Sequence, residues 1–229
     1  MKVVSLQGIR SGVGVSSAAA SVALSLSAGG LRVLLADRHR TQSGLKVLLN
    51  IPLFPDDSEK AAETGIWRYS ENLSYMDACS FDRFAEEGGA GFPLRLANAF
   101  DILLIDAEPA LREGRKAGVI APDLTLTVLV PDANSVVRLE SVPRSEKDYF
   151  LLNRSEDLAE TERDLVLYIQ NKLGRALCPR VVPKDSFAEY CFLNRQAVVQ
   201  GAPFSASAHA FSQIAVWIRA HLTLPRGAQ

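Results

Sequence analysis

Several protein classes are excluded by what this sequence has little of. Its three cysteines, Cys79, Cys178 and Cys191, show no CxxC spacing. An odd, scattered set argues against a disulfide framework and reads as thiols kept reduced in a cytosol. Charge of neither sign dominates. With a formal net charge of −1 the chain carries no electrostatic footprint for nucleic acid. Long hydrophobic runs are missing too. The apolar stretch over residues 18–26 is interrupted by Ser21 and Ser25 and is too short to span a bilayer. The chain opens directly on a strand-like run, Lys2 to Gln7, without the basic, apolar and cleavage regions of a signal peptide. The expectation is a soluble cytoplasmic protein. No linker rich in proline or serine and no internal repeat divides the chain, so one domain over 1–229 is expected.

What is present is an ordinary globular balance, 48% hydrophobic and 22% charged. Short apolar runs alternate with longer helical patterns. Strands are expected at Val3–Gln7, Arg32–Ala36, Leu73–Asp77, Asp101–Asp106, Leu124–Val130, Tyr149–Asn153 and Ala176–Val181. Helical periodicity fits Ser16–Ser27, Ser43–Leu49, Pro93–Ala99, Ser135–Ser141, Leu158–Lys172 and Ala206–Leu222. Gly29-Gly30 ends the first helix. Pro52, Pro55, Asp56 and Asp57 mark a loop, as does Gly88-Gly89-Ala90-Gly91, and the part between about Ile51 and Phe92 is the least regular. Alternating strands and helices imply βαβ units. The fold class is α/β, a mostly parallel twisted sheet flanked by helices on both faces.

The strongest local signal is Gln7-Gly8-Ile9-Arg10-Ser11-Gly12-Val13-Gly14-Val15-Ser16-Ser17, which leaves the first strand and opens the first helix. Glycines there let backbone N–H groups turn inward, and the helix N-terminus adds a positive dipole, so the loop suits phosphate. Ser16 stands where a phosphate-loop hydroxyl reaches Mg²⁺. The usual lysine after the second glycine is missing, and its position is Val15. Arg10, early in the loop, offers a guanidinium that can hold phosphate oxygens through paired hydrogen bonds. A ligand-free glycine turn is the plainer alternative. A dinucleotide fingerprint is another, from Gly12-x-Gly14 with Asp37 after the second strand. In that pattern Ser17 stands where a third glycine belongs.

Two carboxylates follow apolar strands, Asp37 after Leu34-Leu35-Ala36 and Asp106 after Ile102-Leu103-Leu104-Ile105. Ligands of open α/β sheets bind at the carboxyl ends of strands, which makes Asp106 the Walker B candidate and Asp37 a second metal candidate. Either could instead cap a helix. His39 could be an exposed loop histidine, or could titrate near neutral pH beside the phosphates.

Together these pieces resemble the MinD/ParA group of P-loop ATPases, in an order that covers nearly the whole chain. Supporting stretches are Ala121-Pro122-Asp123-Leu124, Val128-Leu129-Val130-Pro131, Asn153-Arg154 and Pro183-Lys184-Asp185. Within that group the chain resembles the BcsQ (YhjQ) family. The shared features are Leu6-Gln7-Gly8-Ile9-Arg10 with no loop lysine, Val130-Pro131-Asp132-Ala133-Asn134 with Arg138-Leu139, Leu152-Asn153, and Lys184-Asp185 before Ala188-Glu189-Tyr190-Cys191.

The resemblance implies a nucleotide-binding accessory subunit of bacterial cellulose secretion. It would hold ATP or ADP and Mg²⁺, form a nucleotide-sandwiched homodimer, partner BcsR-like and BcsE-like subunits, and lie at the inner face of the membrane only through the synthase complex. The nucleotide-binding set is Arg10, Ser11, Gly12, Val13, Gly14, Val15, Ser16, Ser17, Asn153, Arg154, Pro183 and Asp185. The metal set is Ser16, Asp106 and Asp37. MinD/ParA ATPases carry a water-orienting carboxylate two residues after the first, where this chain has His39. With Val15, that departure implies slow or absent hydrolysis. A cycling ParA-type ATPase, a nucleotide-free scaffold and a nicotinamide-dependent enzyme remain as alternatives. MinD binds membranes through a C-terminal amphipathic helix. Here Ile214, Ala215, Ile218 and Leu222 have core-like spacing, so no autonomous anchor is expected.

Overall fold

The structure is a computed structural model. It describes residues 1–39, 44–51, 65–88, 91, 94, 96–109, 120–142, 144–156 and 160–224. The loop expected around Pro52 to Asp57 lies outside the described residues, as do Ser43, Gly89, Ala90, Pro93 and Leu158.

Among the described residues, seven strands form one sheet. They are β1 (Lys2–Gly8), β2 (Val33–Asp37), β3 (Ile66–Arg68), β4 (Leu73–Met76), β5 (Ile102–Ala107), β6 (Leu124–Leu129) and β7 (Asp148–Leu152), in the spatial order β3-β4-β2-β5-β1-β6-β7. All pairings are parallel except β3 with β4. The central strands are mostly apolar and buried along almost their whole length because both faces are covered. Alternate side chains part to opposite sides. Val33, Leu35, Ile102 and Leu104 join the larger core with α1 (Val15–Ala28), while Leu34, Ala36, Leu103 and Ile105 join a smaller one with Phe81 and Ala85. Those two residues lie on α3 (Ala78–Gly88), whose first turn is held by Asp77 accepting from the Ser80 N–H at 2.9 Å.

The other helices are α2 (Gly44–Leu48), α4 (Ala133–Leu139), α5 (Glu160–Leu173), α6 (Ser186–Leu193), α7 (Val198–Gly201) and α8 (Ala206–His221). α1 is built almost wholly of alanine, serine and aliphatic residues, which lets it lie between the sheet and α8. It stops at Gly29-Gly30 as expected, with the Gly30 N–H bonding the Ser27 carbonyl at 3.0 Å and Gly30 at φ 83. Among the described residues no helix is long and apolar enough to cross a membrane.

Two expectations are corrected. Ala176–Val181 is not a strand. A 3₁₀ turn covers Gly174–Ala176, and beyond it the chain touches β7 through one bridge, Phe150 to Leu177, and through the Cys178 and Val182 N–H groups bonding the Phe150 and Leu152 carbonyls, without forming a ladder. Pro179, inside the run, lacks the N–H group that a ladder needs. The irregular stretch before Phe92 contains, besides β4 where a strand was expected at Leu73–Asp77, the strand β3 and the helix α3, and the antiparallel β3 closes the sheet edge.

Phe150 on β7 has no exposed surface and packs in the larger core. Phe150→Ala is expected to cost about 3–5 kcal/mol of unfolding free energy. Urea denaturation with an unchanged m-value would measure it.

Candidate functional site

The loop between β1 and α1 is pinned from below by two side chains with no exposed surface, Ile9 and Val13. The Ile9 N–H also bonds the Val128 carbonyl of β6 at 2.8 Å. Between these anchors the backbone takes positive φ at Gly12 (80°) and Gly14 (92°), and Gly14 caps α1 in the left-handed region. A Cβ on Gly14 would lie 2.5 Å from the Asn153 amide nitrogen, so only glycine allows that contact. Asn153, at the end of β7, donates to the Val13 carbonyl at 2.8 Å, and Arg154 Nη1 reaches the Gly12 carbonyl at 3.4 Å. The residues after β7 thus hold the loop by its carbonyls. Among the described residues, the N–H groups from Gly12 to Ser17 have no protein partner. They line the head of α1, where an anion is favoured.

An open cleft of about 840 Å³ lies over this loop, lined by Gly8, Arg10 to Gly12, Gly14 to Ser17, His39, Gly44, Arg138 and Arg154 among others. A second cleft of about 470 Å³ adjoins it and shares Gly14, Ser17, Arg154 and Phe192. Asn153, Pro183 and Asp185 line the second cleft. The two halves of the expected nucleotide set are therefore brought together. Val13 faces the core rather than either cleft, and contributes only its backbone.

Arg10 lines the phosphate side, but its guanidinium is engaged. It pairs with Asp132, and its Nη1 donates to the Ser11 carbonyl at 3.0 Å. Asp132 also caps α4 by accepting from the Ser135 N–H at 2.7 Å. Val15 is half-buried against the core. Asp185 is likewise committed, accepting from the Phe187 N–H and from the Ser207 N–H and hydroxyl, and so ties α6 to α8. Arg138, Gly44 and Phe192 line the clefts without having been singled out for it in the sequence. Gly44 sits against Ser16, where a Cβ would come within 3.0 Å of the hydroxyl oxygen.

The parallel register pairs Asp37 of β2 with Asp106 of β5, so two carboxylates sit side by side inside the sheet. Neither caps a helix. Asp106 is completely buried, and both of its oxygens lack a hydrogen-bond partner. His39 Nε2 lies 3.3 Å from Asp106 Oδ1, and the imidazole is 15% exposed toward the cleft. His39 is therefore not an exposed loop residue. Asp37 is occupied, accepting from the His39 N–H at 2.7 Å and from the Tyr75 hydroxyl at 3.5 Å. Burial first, then the charge of Asp106, pushes the Asp37 carboxyl up to about 7. The Asp106 contact raises His39 against the effect of its burial. Burial and the nearby Asp37 charge raise the Tyr75 phenol.

The donor chemistry of Ser16 and Asp106 fits a hard divalent cation, because a buried carboxylate with no hydrogen bond beyond its 3.3 Å contact with His39, among the described residues, is costly without a further counter-charge. Asp37 fits less well, since both of its oxygens are taken up.

These shifts set a pH dependence for the metal-free protein. The Asp37 carboxyl rises from 3.8 to about 7 on folding, so folding binds a proton. Its cost grows above pH 4 and is complete above pH 7. His39, also raised, stabilises below its ordinary value of 6.5 and loses that contribution as pH rises through its folded value. Both make stability fall with rising pH. Asp37→Asn is expected to gain up to about 4 kcal/mol over the parent at pH 8, and nothing near pH 4. Denaturant titrations across that range would measure the gain.

The family model for the cellulose biosynthesis protein BcsQ matches residues 1–73 and 91–218. The BcsQ protein of Salmonella typhimurium is 23% identical over 242 residues, covering 96% of this chain and 95% of that one. Among solved structures, the MinC:MinD cell division complex of Aquifex aeolicus superposes with a TM-score of 0.74 at 18% identity, covering 96% of each chain. The septum site-determining protein MinD of Pyrococcus horikoshii, solved with Mg-ADP, gives 0.70 at 18%, covering 96% of this chain and 97% of that one. The fold is thus that of the MinD/ParA P-loop proteins. With the family model spanning most of its length, and a phosphate loop without lysine on a MinD-type sheet, the chain belongs to the BcsQ family of cellulose biosynthesis proteins.

Proposed function

We propose that the protein is a nucleotide-binding accessory factor of bacterial cellulose synthesis and secretion that turns nucleotide over slowly or not at all. The observation that carries this reading is the run of unpartnered N–H groups from Gly12 to Ser17 at the head of α1, facing a cleft that continues to Asn153 and Pro183. Those amides would bind the phosphates of ATP or ADP. Ser16 and Asp106 would hold a divalent cation, conventionally Mg²⁺, which neutralises phosphate charge when bound. Asn153, Pro183 and the ring of Phe192 would flank the base.

The usual catalytic contributions are weak. Val15 puts an apolar group where an ammonium would meet the terminal phosphates. His39 stands where a carboxylate would orient water, and Arg10 is already neutralised by Asp132. Phosphoryl transfer relies on such charge and positioning. Bound nucleotide would instead favour one state of a homodimer, or one partner-binding surface, through its differential affinity. Its partners would be BcsR-like and BcsE-like subunits of the synthase complex. The Arg10–Asp132 pair also favours a second reading, a scaffold that keeps the fold and binds no nucleotide.

Calorimetry separates the two. Binding of ATP and ADP by the purified protein is expected, weakened by Ser16→Ala and Asp106→Asn, with little phosphate release. Absence of binding to either nucleotide, even with partner subunits added, would establish the scaffold. Val15→Lys is expected to raise the hydrolysis rate by about 10²-fold if the missing charge is what limits turnover.

A further inference from the structure

Asp106 does not itself line the phosphate cleft. Its neighbour His39 does. The imidazole is the group between the cleft and the buried carboxylate, and its Nε2 lies 3.3 Å from Oδ1. Its place is determined by the backbone, because the His39 N–H donates to Asp37 Oδ1 at 2.7 Å and the Arg38 N–H to the Asp106 carbonyl at 3.0 Å. The contact leaves both Asp106 oxygens without a hydrogen bond. Two donors about 2.1 Å from one cation, at tetrahedral or octahedral angles, stand roughly 3.0–3.4 Å apart. The observed spacing falls in that range. No group of three or more such side chains gathers among the described residues. Water and an anionic ligand would complete the shell, as is usual for cations bound beside phosphates.

We propose that His39 and Asp106 together form a mixed imidazole–carboxylate site for a divalent cation at the floor of the phosphate cleft, and that the imidazole shifts its preference from magnesium toward manganese and similar first-row cations. An all-oxygen site suits Mg²⁺, whereas imidazole nitrogen is a good donor to transition cations and a poor one to magnesium. His39 is then a ligand in place of the second carboxylate. Asp106 binds the same cation from the buried side. The cation enters by taking the position between the two groups, which relieves the unpartnered carboxylate.

The proposal deepens the nucleotide-binding reading, and its test separates the two. Mn²⁺ is added to the full-length protein alone, and then with ADP, and the bound ion is examined by electron spin-echo envelope modulation. A nitrogen modulation from directly bound imidazole is expected, and is lost in His39→Gln with Mn²⁺ still bound through Asp106. In parallel, ADP affinity is measured with Mn²⁺, with Mg²⁺ and in EDTA. The parent should favour Mn²⁺, and His39→Asp should reverse the order. Absence of nitrogen modulation in the parent under both conditions overturns the proposal. So does an equal gain in affinity for both cations in His39→Gln, which would make the imidazole an obstruction rather than a ligand. If ADP binds under no condition, the nucleotide reading fails while the Mn²⁺-only spectrum still decides the role of His39.

Discussion

The site depends on a carboxylate buried inside a parallel sheet with no hydrogen bond to its oxygens. Removing such a group from water costs several kcal/mol unless a charge answers it. Asp106 is held there by β5, which pairs with β1 on one side and β2 on the other. That register also places Asp37 beside it and the glycine loop of β1 at the same strand ends. The neighbouring groups answer the charge in order of proximity. His39 approaches Asp106, and burial together with the charge of Asp106 pushes the Asp37 carboxyl up to about 7. The chemistry of the cleft floor therefore belongs to the sheet pairing as much as to the residues on it.

Around this floor the cationic groups are redistributed. A phosphate loop normally places a lysine at the head of the first helix. Here Val15 packs inward, and Arg10 turns to Asp132 at the cap of α4. Arg138 and Arg154 reach the cleft from the later half of the chain, and Arg154 adopts positive φ (53°) to lie over the loop. Positive charge still lines the cleft, but it arrives from outside the loop, on Arg138, bonded to Asn134 at 2.9 Å, and Arg154, bonded to the Gly12 carbonyl at 3.4 Å. Binding tolerates such an arrangement better than catalysis, which needs charge held in register with the transition state.

The second cleft is held together by capping. Asp185 caps α6 and binds Ser207 at the start of α8, so the wall opposite the loop is tied to the helix that packs on α1. Asn153 does the corresponding work for the loop itself. Both residues look from sequence like ligand contacts. In the folded chain their polar atoms are structural partners, at least until a ligand competes for them.

Much of this was legible in the order of residues. Glycines at 12 and 14 after an apolar strand require positive φ, and Gly29-Gly30 closes the helix that follows. Apolar runs ending in Asp37 and Asp106 read as strand ends of a parallel sheet. These are local signals, set by backbone sterics and side-chain period, so the chain alone determined them. It could not determine that Asp37 and Asp106 are register partners, that Arg10 is neutralised 122 residues away by Asp132, or that His39 covers a buried carboxylate. Nor could it show that the run around Pro179 makes only isolated contacts with β7, or that β3 folds back on the edge. Those outcomes depend on which strands become neighbours and how far each charge lies from the next. Distances of that kind arise only when the sheet closes and removes the groups from water.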